Sequence, residues 1–211
     1  MQKTLIEILL SLWLVLQGEA QHFQFNCYAG YATPSFLRVT NGEYHIAGNI
    51  CTGVAAAFTK KALTGFAKNS FIEIQYNYQR SSFRYEVYNS DLKYKLGDIQ
   101  IHTLLAGILK ELNDGEPKFF GSLLMGLTIY NPDDWPKLTR FTLSVTGGMK
   151  IPVSKIGGFR VQAQLILPII YDEVYVGWEP GFGLTTGVAV NGIVFIPQFT
   201  GGFYFHFGSS K

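Results

Sequence analysis

The sequence predicts an all-β protein: a closed, eight-stranded antiparallel transmembrane β-barrel with an up-and-down meander. Three observations lead to this prediction. The 211-residue chain contains a series of runs in which apolar and polar residues alternate, which is the two-residue period of a β-strand. Charged residues make up only 15% of the chain and aromatic residues another 15%, whereas an average soluble protein is roughly 25% charged. Most runs have about 9 to 11 residues, the length of a tilted strand that crosses a bilayer.

The clearest pair of strands lies in residues 140–168. One face of each strand is apolar and carries no charge, while the other face carries Lys150, Arg160 and two glutamines. Two alternating runs joined by the short Gly-containing turn at residues 152–158 indicate a β-hairpin. The polar face is too polar for the core of a small soluble sandwich. We therefore interpret the apolar face as the surface in contact with lipid.

The start of the chain predicts an exported protein. Lys3 precedes an apolar run at residues 5–16, and a small-x-small sequence follows at residues 18–20. This order is typical of a secretory signal peptide that is cleaved before Gln21. The apolar run is shorter than the roughly 20 residues of a spanning helix. Residues 1–20 are thus predicted to be a signal peptide, and residues 21–211 an outer-membrane β-barrel domain.

The predicted strands follow one another along the chain. The third strand alternates most regularly, with isoleucines and tyrosines on one face and Glu73, Gln75, Asn77 and Gln79 on the other. An even strand count lets the last strand pair with the first, so that no edge remains in hydrocarbon. The eight predicted strands cover residues 22–32, 46–58, 71–80, 98–109, 119–130, 140–151, 159–167 and 196–207.

On each strand we assign the more apolar face to lipid and the other face to the barrel interior. On the fourth strand this rule places Ile99, Ile101, Leu105 and Leu109 outside. An eight-stranded barrel is just wide enough for its own side chains to fill it, so we expect a polar network that plugs the lumen. The alternative is a gated narrow path lined by the same groups. The predicted interior network consists of Glu73, Asp98, His102, Lys150, Arg160, Gln162 and His206.

The connections between strands alternate in kind. Those at residues 60–69, 111–117 and 152–158 are shorter or simpler than the loops that precede or follow them. Short turns at one end and long loops at the other are typical of outer-membrane barrels, which places both chain ends on the periplasmic side. Tyr and Trp are favoured at binding surfaces, so we expect aromatic residues of the long loops to contact a partner or ligand. The alternative is that these loops pack over their own barrel mouth. The predicted loop contacts for a partner or ligand are Trp135, Tyr175, Trp178 and Phe182.

The sequence predicts no catalytic residue, metal site or cofactor. Its four histidines are scattered without the spacing of metal ligands, and the Gly-rich residues 181–187 match neither a dinucleotide fingerprint nor a P-loop. The formal net charge is +2, and it becomes +3 without residues 1–20, which contain one Lys and two Glu. This charge is too small to suggest a nucleic-acid partner. A rim-active enzyme stays an alternative, with the candidate residues His45, Ser81, Ser82, Asp133 and Asp172.

Five stretches carry a resemblance to a known family: residues 98–102, 121–134, 140–150, 158–163 and 199–207. They resemble the small eight-stranded outer-membrane β-barrels of the OmpW/OmpX-like superfamily. The clear part of the resemblance covers about residues 98 to 167 and, in addition, the last strand. The resemblance implies a bacterial outer membrane, where outer-membrane lipid, lipopolysaccharide and the barrel-insertion machinery are the expected partners, together with other outer-membrane or periplasmic proteins as candidates.

The superfamily includes structural barrels, adhesion or host-interaction proteins and proposed conduits for small hydrophobic molecules, and a fold does not determine a function. The prediction is a non-enzymatic outer-membrane barrel with a structural or interaction role. Its interior is plugged by polar side chains, and its extracellular loops contact a partner or ligand. The alternatives are a narrow channel or conduit for small hydrophobic solutes and, third, a rim-active lipid-modifying enzyme.

Overall fold

The structure is a computed structural model that describes residues 22–39, 42–59, 69–87, 93–133, 136–179 and 183–207. The predicted signal peptide lies outside these residues. No helix in this part of the chain is long and apolar enough to cross a membrane. The described residues form the strands β1 (His22–Ala32), β2 (Ser35–Val39), β3 (Gly42–Ile46), β4 (Asn49–Thr59), β5 (Ser70–Val87), β6 (Lys93–Glu111), β7 (Lys118–Pro132), β8 (Leu138–Ser154), β9 (Gly157–Glu179), β10 (Gly183–Ile193) and β11 (Ile196–Phe207).

Eight of these strands close into a ring in the order β1, β4, β5, β6, β7, β8, β9, β11 and back to β1. Every neighbouring pair is antiparallel. The closing pair joins β11 to β1 over ten residues, from Phe23 opposite Phe207 to Ala32 opposite Gln198. Closure pairs the backbone groups that an open sheet would leave unsatisfied in lipid. The predicted closed eight-stranded antiparallel barrel is confirmed.

The remaining three strands extend one end of the barrel. The β2–β3 hairpin pairs with the far part of β5, and β10 pairs with the far part of β9. Strands β5, β6 and β9 have 18, 19 and 23 residues, which is more than the 9 to 11 that cross a bilayer. We call this end the mouth, and the opposite end, where β1 begins and β11 ends, the turn end. The loops predicted at the mouth are thus largely β-structure.

Burial alternates along the walls as the strand period requires. On β5, for example, Glu73 and Gln75 are buried, whereas Ile72 and Tyr76 are exposed. The outer surface is a continuous apolar wall, and its lipid-facing side chains include Val54, Ile108, Leu123, Met125, Leu127, Leu143, Val145, Phe159, Val161, Phe199 and Phe203.

The predicted facing of β6 is wrong. Ile99, Ile101 and Leu105 point into the barrel and are at most 4% exposed, whereas Leu104 and Ile108 are 56% and 60% exposed. For Ile99 and Ile101 the error arises because β6 extends beyond the membrane at the mouth. There the barrel encloses an apolar core and turns its polar side chains outward to water, the reverse of the pattern in lipid. Leu105 and Leu109 lie deeper, and Leu109 packs in a buried cluster at the turn end. Both parities of β6 therefore contain apolar residues along the whole strand, and their overall hydrophobicity does not identify the lipid face.

Candidate functional site

The lumen is filled in layers, and the layer at the turn end is ionic. Lys150 is fully buried and donates from Nζ to Gln24 Oε1 at 2.6 Å and to Glu111 Oε1 at 2.9 Å. The other carboxylate oxygen of Glu111 accepts a bond of 3.1 Å from Lys118 Nζ, which is partly exposed at the rim. Strands β1, β6, β7 and β8 are thus connected through one carboxylate and two ammonium groups.

A second buried ion pair lies beside this layer. Arg160 on β9 donates from Nη1 to Glu73 Oε1 on β5 at 2.7 Å and from Nε to Gln162 Oε1 at 2.7 Å. The guanidinium carbon lies 4.3 Å from the centre of the Phe120 ring, a distance at which a cation–π contact is favourable. With Lys150 and Glu111 this pair makes two cations and two carboxylates, so the buried charges balance.

The middle layer consists of uncharged amides and hydroxyls. Gln75 on β5 and Gln164 on β9 bond to each other across the lumen at 2.8 Å, and Gln164 also donates to Ser144 Oγ at 2.8 Å. Asn77 Oδ1 accepts bonds from Gln75 and from the hydroxyl of Tyr28. These bonds cross from one wall to the other, so side chains of opposite walls meet within the lumen.

Towards the mouth the interior changes from polar to apolar. Thr128 bonds to Thr103 and Thr142 at 3.1 and 2.8 Å, and apolar side chains lie beyond these threonines. One buried cluster contains Ala32, Cys51, Ile166, Ile170, Val194 and Ile196. Another contains Ile99, Ile101 and Tyr130, with Ile46 and Phe83 packed against it.

A pocket of about 380 Å³ opens above these clusters. Its volume lies within the range of small-molecule sites, roughly 300 to 1,000 Å³. We call it the mouth pocket. Aromatic contacts shape one side, where the Tyr44 ring lies 5.6 Å from Phe83 and 4.8 Å from Tyr85. Its lining residues are Phe36, Tyr44, Ile46, Phe83, Ile99, Tyr130, Pro132, Pro136, Lys137, Leu138, Ile170 and Val194.

The structure brings together four residues of the predicted network. Glu73, Lys150, Arg160 and Gln162 are all buried in the lumen. His206 is half-buried at the turn end, on the lumen-facing parity of β11, and its Cα is opposite that of Gln24.

The other two predicted network residues lie on the outer face. The His102 ring lies 5.1 Å from the Tyr78 ring, tilted by 50°, and it shares a hydrogen bond of 2.8 Å with the hydroxyl of Tyr76. Asp98 accepts two bonds from Arg80, at 3.0 and 3.2 Å. Both residues were assigned to the lumen because they are polar. Near the mouth, however, the outer surface of the barrel is polar too, so the facing of β6 was predicted wrongly.

The side chains of the four predicted loop contacts lie outside what the structure describes. Trp135 and Phe182 are not described, and for Tyr175 and Trp178 only the backbone in β9 is described.

The described candidates for a rim enzyme have different partners. His45 lies 3.0 Å from Glu43 and 3.8 Å from Glu86, whereas the buried Ser81 accepts from Gln79. Across the described ranges, no group of three or more His, Cys, Asp or Glu side chains is arranged to hold a metal ion.

Sequence reasoning missed Glu111, Phe120 and the mouth pocket. Glu111 was assigned to a turn, yet it is the last residue of β6 and is only 5% exposed. It has the same parity as Leu105 and Leu109, so a correct facing of β6 would have placed its side chain in the lumen, where Lys150 also lies. No sequence signal indicates the mouth pocket, because residues from β2, β3, β5, β6, β7, β8 and β9 assemble it.

Comparison with known proteins bears on the fold. No protein family and no curated protein matches the chain by sequence. Among solved structures, the outer membrane protein OprG from Pseudomonas aeruginosa is similar, with a TM-score of 0.54 and 12% identity over 90% of this chain and 98% of that one. Neisserial surface protein A (NspA) has a TM-score of 0.52 and 14% identity over 88% and 97%. The outer membrane protein AlkL, solved by solid-state NMR in DMPC lipid bilayers, has a TM-score of 0.54 and 10% identity over 92% of each chain.

The structural likeness shows a common fold. At identities of 10 to 14% it leaves the function open. The likeness covers nearly the whole length of these barrels and agrees with the closed ring and the apolar outer wall. The chain therefore has the fold of the small eight-stranded outer-membrane β-barrels, the group that its sequence resembles.

Proposed function

We propose that the protein is a non-enzymatic outer-membrane barrel with a closed lumen, and that its specific work is to bind a small apolar molecule in the mouth pocket. One observation supports the proposal: an apolar pocket of about 380 Å³ lies at the mouth of a lumen that hydrogen-bonded side chains cross. An apolar molecule gains about 25 cal/mol for each Å² that it removes from water, and it gains nothing comparable among the buried amides below. Binding at the mouth is therefore favoured over passage through the lumen.

Binding of an apolar fluorescent probe, such as N-phenyl-1-naphthylamine, tests this proposal. The protein is placed in lipid nanodiscs and the signal of empty nanodiscs is subtracted. Ile46 lines the mouth pocket, and Ile46→Asn should weaken binding at least about fivefold, since an unpaired amide in an apolar site costs about 1–3 kcal/mol. The matched control is Ile156→Asn, because Ile156 is 68% exposed in the turn at the opposite end. Equal binding by the native protein and Ile46→Asn would contradict the proposal. A difference in gel migration between unheated and heated samples checks that both proteins are folded barrels.

A narrow channel is the second candidate. Several buried lumen atoms have no hydrogen-bond partner among the described residues, including Ser122 Oγ, Thr146 Oγ1, Gln162 Nε2 and Thr200 Oγ1. Buried polar groups without protein partners are commonly hydrated, which favours a thin aqueous path. Planar-bilayer recordings distinguish the two functions. A barrel with a closed lumen should carry no steady current. A steady current through the native protein that changes in the Arg160→Met variant would favour the channel.

A further inference from the structure

The mouth pocket is apolar, but its lining is not electrically neutral. Among the described residues that line it, Lys137 is the one with a charged side chain. It belongs to the connection between β7 and β8 and is exposed. Its position lets the ammonium group stay in water at the rim while an apolar ligand lies below it. A bound molecule with a negative charge at its outer end would therefore meet an opposite charge.

A second polar group lies in the same lining. Tyr130 is only 5% exposed, and its hydroxyl has no hydrogen-bond partner among the described residues. A buried hydroxyl without a partner costs free energy, and a ligand oxygen that accepts its proton removes that cost. Tyr130 is directly opposite Leu138 in the β7–β8 pairing, the residue that follows Lys137. The phenol thus belongs to the last part of β7, and the ammonium belongs to the residue just before β8.

We propose that the mouth pocket selects an amphiphilic anion, a molecule with an apolar chain and one carboxylate. The chain lies against Phe83, Ile99 and Ile170, while the carboxylate faces Lys137 and accepts a hydrogen bond from Tyr130. This inference rests on the proposed function, since it gives a polarity and an orientation to the ligand of the same pocket. A neutral ligand of equal length would leave both polar groups unused.

Competition between two ligands of equal chain length tests the selectivity. Decanoate and decan-1-ol each displace the apolar probe from the native protein in nanodiscs of uncharged lipid at pH 8. Decanoate should compete roughly fivefold better, which is near the upper end for an exposed ion pair. Lys137→Gln should abolish this advantage and leave displacement by decan-1-ol unchanged. Lys155→Gln, at an exposed lysine of the opposite turn, should retain the advantage. Tyr130→Phe should reduce it.

The outcomes separate this inference from the proposal beneath it. Equal competition by both ligands in the native protein, or an advantage that survives Lys137→Gln, overturns the anion selectivity and leaves apolar binding standing. If the probe does not bind and neither ligand has a measurable effect, the proposed function itself fails. Added salt supplies a further readout, because screening should reduce the decanoate advantage and should not affect the alcohol.

Discussion

Arg160 and Glu73 form a hydrogen-bonded ion pair across the barrel lumen, although 87 residues separate them in the chain. The two strands that carry them, β9 and β5, are not neighbours in the ring. Their side chains are 2% and 0% exposed, so neither charge has water to replace its partner. The pair connects opposite walls and helps to make the interior solid.

The first prediction concerns this pair. Arg160→Met should lower the free energy of unfolding by about 3–5 kcal/mol, because it leaves the Glu73 carboxylate buried without its partner. The double variant Glu73→Gln with Arg160→Met should lose less than the sum of the two single variants. Urea-induced unfolding in lipid, followed by tryptophan fluorescence, measures both effects.

The outer ion pair between Arg80 and Asp98 provides the control. Its side chains are 56% and 39% exposed, so Arg80→Gln should cost at most about 1 kcal/mol. If Arg160→Met and Arg80→Gln prove equally costly, the lumen pair does not have the buried role assigned to it.

The second prediction compares two adjacent glycines on β8. A Cβ atom at Gly148 would lie 2.4 Å from the carbonyl oxygen of Val161 and 2.7 Å from the Phe120 ring. Gly148→Ala should therefore destabilise the barrel by about 1–3 kcal/mol through overpacking. At Gly147 nothing lies within 4 Å of such an atom, and Gly147→Ala should change stability by less than about 0.5 kcal/mol. The same unfolding measurement decides, and a tolerated Gly148→Ala would show that the lumen is looser than described.

The third prediction tests the facing of β6. Spin labels at Leu104→Cys and Leu105→Cys, in a background with Cys27→Ser and Cys51→Ala, should differ in collision with oxygen dissolved in lipid. The label at position 104 should be highly accessible because Leu104 is 56% exposed on the outer wall, whereas Leu105 is 1% exposed in the lumen. Electron paramagnetic resonance measures this accessibility. The opposite order would restore the facing that the sequence suggested.

The fourth prediction concerns pH at the mouth. The Lys93 ammonium group lies 3.2 Å from Glu86, and its hydrogen bond lowers the pKa of the Glu86 carboxyl. A lowered pKa in the folded state means that the stabilisation is present above the ordinary pKa of a carboxyl, about 4.3. The stabilisation disappears as the pH falls through the lowered value. Hydrogen-exchange protection of residues 83–87 should therefore decrease in acid, and Glu86→Gln should remove that part of the decrease. An unchanged pH profile in this variant would contradict the assignment.

The strand pattern of the barrel could be predicted from the sequence because burial has the same period as the backbone. All eight barrel strands were located, and the inward positions Glu73 and Gln75 on β5 followed from alternation together with the assignment of the more apolar face to lipid. The mouth was not predicted. There β5, β6 and β9 leave the membrane, and a segment that looks like a polar loop pairs with its neighbours as a strand.

By itself, the sequence determined that the chain alternates with a two-residue period, that the strand count is even and that one face of the hairpin at residues 140–168 suits lipid. The tertiary structure alone decided which face of β6 is the outside, how Arg160 meets Glu73 and where the mouth pocket forms. The physical reason is that alternation defines two faces of a strand without showing which face points outward. That choice depends on the surroundings of each residue, and these change from lipid to water along a single strand.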